Sequence, residues 1–351
     1  MNCYDLAKPL LFRLPAETAH HLGLSALRFA RHDPVRTLLA ARYVVDDPRL
    51  ETVCFGRRFP TPVGVAAGFD KNARVPDGLA ALGFGFVEVG GVTARPQAGN
   101  PRPRLFRLAE DRALVNRMGL NNDGAAAVGA RLGARDVPVP VGVNVAKSED
   151  VPAEDAPADY RRSYEQVADA GEFFVVNVSC PNSQGFEALQ NRESMARIFE
   201  TLTDAGADPL LVKLSPDLPE PAASDALKLV REFDLDGVVA TNTTTERPDT
   251  LASPTRAAAG GLSGAPLEAR ATGMVRLAAR HVDVPVIGVG GVATAEDAYR
   301  KLRAGASLVQ LYTALVYRGP SVARSINRGL LELLERDGFD SVADAVGADL
   351  D

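Results

Sequence analysis

Val284-Pro-Val-Ile-Gly-Val-Gly-Gly-Val-Ala-Thr-Ala-Glu-Asp297 is followed, ten residues on, by Ser307-Leu-Val-Gln-Leu-Tyr-Thr313. The apolar run Val284–Val289 ends in the glycine pair Gly290-Gly291. Thr294 then supplies an N-cap with Glu296 and Asp297 in the first turn behind it, where acidic groups favour a helix start. A second apolar run, Ser307–Leu311, closes the unit. Continuous apolar runs joined through a helix are what parallel strands covered on both faces require.

The same grammar recurs upstream. Val63–Ala67, Phe84–Val89, Val139–Val145, Phe173–Val178, Leu210–Leu214 and Gly237–Ala240 complete a set of eight runs, separated by Ala/Leu/Arg/Glu segments of helical character. Eight βα units predict a closed (β/α)8 barrel, with an open doubly wound sheet as the rival. Each run ends in polar or glycine residues, and in a barrel these ends converge on the C-terminal face, where active sites sit. No internal repeat of fixed period is visible.

A minimal barrel needs about 250 residues, and the chain has 351. Part of the excess lies in three long connections, Thr93 to Val137, Pro181 to Ala207 and Asn242 to Leu262, the length expected of binding loops. The rest precedes the barrel. Tyr4–Leu14 and Ala16–Arg31 read as two helices broken by Pro15, and Val53–Phe59 as a strand entering a hairpin near the barrel floor. Leu6, Leu10, Leu11 and Leu14 share one face of the first helix; Ala19, Leu22, Ala26 and Ala30 stripe the second. Such a pair either packs wholly on the barrel or touches a membrane surface. The expected division is an extension over residues 1–50 and a barrel over 51–351.

Composition removes several classes. Asp plus Glu number 45 against 39 Lys plus Arg, a net charge of −6 with no basic run, which lacks the footprint of a nucleic-acid binder. No apolar stretch approaches the ~18 residues of a spanning helix, and Asp5 and Lys8 interrupt any signal-peptide core. Cys3, Cys54 and Cys180 form no CxxC pair, and the histidines (His20, His21, His32, His281) make a poor metal set, so no metal site is expected. The chain reads as a reduced, cytoplasmic protein.

The strand ends carry the chemistry. Gly264, Gly291 and Tyr312-Thr313 are candidates for holding a phosphate, because glycine turns let backbone N–H groups face an anion. Gly288–Ala293 also fits a loose GxGxxA dinucleotide pattern, but it closes the βα series instead of opening it. Asn116, Asn144, Asn177, Asn182 and Asn242 both donate and accept, as the edge of a pyrimidinedione or a flavin demands, although a single loop asparagine is more often a turn or cap. Lysine is scarce, so Lys71 and Lys213 at the ends of runs one and five stand out: each could fix an anion, and Lys213 could form a Schiff base. Cys180 could serve as nucleophile or base if its pKa is lowered, although a lone cysteine is usually inert packing.

Taken together, the motifs Ala66-Ala-Gly-Phe-Asp-Lys71, Arg95-Pro-Gln-Ala-Gly-Asn-Pro-Arg102, Asn116-Arg-Met-Gly-Leu-Asn-Asn122, Asn177-Val-Ser-Cys-Pro-Asn182, Ala240-Thr-Asn-Thr-Thr244, Gly260-Gly-Leu-Ser-Gly264 and Gly288-Val-Gly-Gly291 closely resemble the dihydroorotate dehydrogenase family, flavin enzymes of pyrimidine synthesis. The resemblance implies FMN at the barrel mouth, contacted by Ala67, Gly68, Gly91, Asn144, Asn177, Lys213, Thr241, Gly264, Gly291, Tyr312 and Thr313. It further implies that Lys71, the Asn116-Arg117-Met118-Gly119-Leu120 segment, Asn177, Asn182, Asn242 and Thr243 hold dihydroorotate. Cys180 would remove the C5 proton as C6 gives up hydride. Gly91 stands where many relatives have threonine.

Two signals disagree about the electron acceptor. The N-terminal helices with Ala19-His20, and Leu105-Phe-Arg107, resemble the membrane-associated, quinone-reducing class, which implies His20 and Arg107 as quinone-site candidates. That class normally uses a serine base, whereas Cys180 matches the soluble class that reduces fumarate or, through an iron–sulfur partner, NAD. Val316 also replaces a threonine found in some relatives. The whole extension outweighs one side chain, so a quinone acceptor and peripheral contact with the cell membrane are expected. A phosphate-binding lyase using Lys213 is the more distant alternative, and a non-catalytic binding barrel the last.

Overall fold

The computed structural model describes residues 3–179 and 187–350. Eight parallel strands close into a barrel in chain order: β1 (Val63–Val65), β2 (Phe86–Val92), β3 (Val141–Val145), β4 (Phe173–Asn177), β5 (Leu210–Leu214), β6 (Gly237–Ala240), β7 (Val286–Val289) and β8 (Leu308–Leu311). All eight predicted runs are strands. The register of β8 on β1, with Val309 opposite Val63 and Leu311 opposite Val65, removes the open-sheet rival. Every residue of these strands is buried, which is why the runs carry no polar alternation.

Phe59, Phe86, Phe173, Leu211, Ile287 and Leu308 fill the lower barrel. Space for them is made by glycine: a Cβ on Gly64 would lie 2.5 Å from the Phe86 ring. The expected hairpin pairs Thr52–Cys54 with Arg57–Phe59 and closes the floor, its Phe55 ring 6.0 Å from that of Phe173. The predicted cap at Thr294 is present as a reciprocal capping box with Asp297, opening the helix Ala295–Arg303.

The extension contains one helix more than the two read from sequence: α1 (Cys3–Leu11), α2 (Ala16–Leu27) and α3 (Asp33–Tyr43). No residue of α3 is fully buried, so it has no strong apolar period to betray it. Its order comes from Leu39 and Tyr43, half-buried against the core, and from close backbone approach. A Cβ on Gly83, after the helix Pro76–Ala81, would lie 3.1 Å from the Tyr43 carbonyl carbon. Polar clamps complete the docking. Glu17 of α2 accepts from Arg104 Nη2 at 2.8 Å and Arg102 Nε at 3.0 Å. Arg107 donates to the carbonyls of Leu11, Phe12 and Leu14, and Tyr4 Oη to Val316 O at 2.5 Å.

A second sheet, also absent from the sequence reading, covers the barrel mouth. Ala113–Asn116 is its middle strand, antiparallel to Leu105–Leu108 on one side and Gly261–Gly264 on the other. Among the described residues, no helix is long and apolar enough to cross a membrane, and no His/Cys/Asp/Glu group is arranged for a metal.

Candidate active site

The strand ends meet around a cavity of about 950 Å³, near the upper end for small-molecule sites. Its floor is a polar network built from neighbouring strands. Asn177 (β4) donates to Asn144 Oδ1 (β3) at 3.1 Å, and Asn144 donates to Glu88 Oε1 (β2) at 2.7 Å. Lys213 Nζ (β5) stands 3.6 Å from the same carboxylate oxygen. Past the end of β6, Asn242 Nδ2 reaches Asn177 Oδ1 at 3.3 Å and the Ser179 carbonyl at 3.0 Å. These groups hold one another, as buried polar groups must, and Asn177, Lys213 and Asn242 also face the cavity.

Glycine turns form the opposite wall. Gly291, after β7, has φ +75°, and Gly264 on the covering sheet has φ +101°, both in the left-handed region. Between them Thr313 Oγ1 bonds Ser263 Oγ at 2.8 Å. At Gly68 a Cβ would meet nothing nearer than Lys71 Nζ at 3.8 Å, so a side chain there would project into the cavity. Under the extension the cavity continues to Lys8, Phe12 and Tyr317.

Ala67, Gly68, Lys71, Gly91, Asn116, Met118, Gly119, Leu120, Asn177, Lys213, Thr241, Asn242, Thr243, Gly264, Gly291, Tyr312 and Thr313 line this one cavity. Four expected residues do not. Asn144 lies beneath it in the network. Arg117 turns away, donating to Pro103 O at 3.0 Å and covering the Phe106 ring. His20 packs behind the wall, its ring 5.0 Å from Phe69 and 6.4 Å from Tyr312. Arg107, half-buried, clamps the end of α1, its guanidinium 4.8 Å from the Phe12 ring that lines the cavity. Cys180 and Asn182 lie outside the described residues.

Residues 49–334 match the family described as dihydroorotate dehydrogenase. The chain belongs to the dihydroorotate dehydrogenase family. It is 66% identical to the dihydroorotate dehydrogenase (quinone) of Haloarcula marismortui over 100% of both chains. It is 47% identical to that of Rhodococcus erythropolis over 99% of each. The structure of Eimeria tenella DHODH in complex with ferulenol superposes with a TM-score of 0.84 at 38% identity, covering 91% of this chain and 94% of that one. The family read from the motifs is therefore borne out, and these relatives carry the quinone-dependent name.

Within this dihydroorotate dehydrogenase fold, the shifted acidities of His20, Tyr312 and Glu17 bear on the extension and the wall it packs against. Burial, reinforced by His21 and Lys71, pushes His20 down to about 4, so the imidazole is neutral at pH 7. Burial pushes the Tyr312 hydroxyl up to about 12. Burial alone would raise Glu17, but Arg104 and Arg102 outweigh it and hold its carboxyl down to about 2.

Sequence reasoning missed Glu88 and Gln310, whose Nε2 donates to Glu88 Oε2 at 2.6 Å. Their signal was available: each is the one polar residue inside an apolar run, Phe86-Val-Glu-Val89 and Leu308-Val-Gln-Leu311. Lys8 and Phe12 offered no such signal, because only the docking of α1 brings them to the cavity, which they share with Tyr317 of the helix Thr313–Arg318.

Proposed function

We propose that the chain oxidises dihydroorotate to orotate in pyrimidine biosynthesis, with FMN as its flavin and a quinone as the final electron acceptor. The observation that carries this reading is the single cavity joining the amide-and-lysine floor to the underside of α1.

The residues fit FMN. Gly264, Gly291, Ser263 and Thr313 form a hydroxyl- and glycine-lined cradle suited to its phosphate. Gly68 leaves wall space for a flat ring system, whereas a Cβ on Gly91 would crowd Leu120 and Asn144 at 3.0 and 3.1 Å; the buried, unpartnered Oε1 of Gln310 is an acceptor on the cavity wall. When bound, FMN supplies the acceptor for the hydride leaving C6.

The chain's own groups supply the rest. Lys71 meets the substrate carboxylate, while Asn116, Asn177, Asn242 and Thr243 read the alternating C=O and N–H edge. Asn182 joins that set, and Cys180 takes the C5 proton; both lie outside the described residues. Asn177 and Asn242 are pre-oriented by their bonds to each other, Asn144 and Ser179, so binding need not order them. Lys213 offers positive charge where electron density accumulates. The covering sheet, with Asn116 Nδ2 bonded to Gly261 O at 3.4 Å, walls the site from water.

On the acceptor side, quinone enters beneath α1 beside Lys8 and Phe12, and the outward apolar residues of the extension rest on the inner face of the cell membrane. Leu6 and Leu10 of α1 are each 67% exposed and Leu38 of α3 72% exposed, surface that a lipid interface would cover.

Anaerobic addition of dihydroorotate should bleach the flavin spectrum of the purified protein, and a ubiquinone or menaquinone analogue should restore it. Colourless protein overturns the flavin reading. Turnover with fumarate or NAD but not quinone overturns the acceptor.

A further inference from the structure

Glu88 is fully buried on β2 and lies outside the seven motifs quoted above. Its Oε1 accepts from Asn144 at 2.7 Å and stands 3.6 Å from Lys213 Nζ; its Oε2 accepts from Gln310 at 2.6 Å. Donors from β3, β5 and β8 thus converge on one carboxylate from β2. Lys213 and Gln310 line the cavity, and Glu88 lies behind them. A carboxylate in such a place is expensive to bury and is tolerated only when paired and hydrogen-bonded.

We propose that Glu88 is a positioning residue that fixes Lys213 and offsets its charge, so that the bound flavin hands electrons on instead of retaining them. This rests on the function proposed above. In each cycle the substrate loses a hydride from C6 and a proton from C5, and the quinone takes the same two electrons with two protons. The flavin potential therefore governs both halves. Lys213 acting alone would favour the reduced flavin, which carries the greater negative charge; paired with Glu88 the site is formally neutral and the bias is moderated.

Glu88→Gln removes the charge and keeps the shape. The unpartnered Oε1 of Gln310 lets that amide turn and accept a hydrogen bond from the substituted side chain. Potentiometric titration with a chemical reductant should show the reduced flavin favoured at least tenfold more than in the parent, a positive shift of about 30 mV or more for a two-electron couple. Stopped-flow mixing should show reduction by dihydroorotate unchanged or faster, and reoxidation by a quinone analogue slower. Glu88→Asp, which retains the charge but displaces it, should keep the reduction equilibrium within about twofold of the parent.

An unchanged or more negative potential in Glu88→Gln overturns the proposal. If that variant does not load flavin, Glu88→Asp decides: an equilibrium within twofold supports a charge role, and a tenfold shift overturns it. The reductive titration needs no substrate. Failure of the parent to react with dihydroorotate would therefore count against the function, and a silent Glu88→Gln titration against this inference alone.

Discussion

At the barrel mouth, polar groups from five consecutive strands and their ends satisfy one another: Glu88, Asn144, Asn177, Lys213 and Asn242. The N-terminal extension is fastened differently: three helices hang on a few clamps, Glu17 with Arg102 and Arg104, Arg107 with the carbonyls ending α1, and Tyr4 with Val316. Its outer face leaves Leu6, Leu10, Leu22, Phe29 and Leu38 more than half exposed. The first region is pre-organised and internally complete, as chemistry on a small substrate requires. The second is held by separable contacts and presents apolar surface, as an element meeting a partner or lipid does. One cavity runs through both, so damage to each should be separable by choice of electron acceptor.

The largest effect is expected on the barrel side. Cys180→Ala should slow flavin reduction by dihydroorotate by about 10²–10⁴-fold, equally with every acceptor, while flavin stays bound. A rate near the parent's would remove Cys180 from the mechanism. Cys180→Ser should retain activity with its pH profile moved upward, since a hydroxyl is the weaker acid; an unmoved profile would count against direct proton transfer.

Glu17→Ala attacks the other region. It strands the buried Arg104 guanidinium without its counter-charge, a loss of about 3–5 kcal/mol by comparison with broken buried pairs. Quinone turnover should fall and limited proteolysis should cut within residues 1–50, while turnover with a small soluble dye persists. Equal losses with both acceptors would show that the two regions are not separable.

Acid should reveal the same boundary. His20 is neutral and its folded pKa, about 4, lies below the ordinary 6.5. Its contribution to docking is therefore full above pH 6.5 and lost as pH falls toward 4, on the order of 2 kcal/mol after screening. Glu17, held down to about 2 from 4.5, contributes above pH 4.5 and is lost only as pH falls toward 2. Proteolysis of the extension should thus begin below pH 6.5, and His20→Phe should defer its onset to below pH 4.5. The same onset in both proteins would discard the histidine.

The smallest effect is reserved for the outer surface. Leu10→Asp and Leu38→Asp should weaken sedimentation with lipid vesicles while changing folded stability by less than about 0.5 kcal/mol. Unchanged vesicle binding would return the extension to a purely packing role.

The barrel and most of the site are legible in the amino-acid pattern. Strands buried on both faces leave continuous apolar runs, and strand ends at one rim put Lys71, Asn177, Lys213, Asn242 and Gly291 within reach of one cavity whatever the loops do. Even Glu88 and Gln310 were legible, as polar interruptions in apolar runs. Tertiary structure alone decided the rest. The sheet over the mouth pairs Asn116 with Gly261, a contact across 145 residues that no local pattern encodes. α3 is ordered by backbone approach at Gly83 together with the half-buried Leu39 and Tyr43, too short an apolar stripe to stand out in the sequence. His20 and Arg107, singled out by motif, stand against residues of the cavity wall, one as a packed ring and the other as a clamp on α1, while Lys8 and Phe12 line the cavity itself. The reason is common to all three: periodicity records which face of an element is buried, not which distant element covers it.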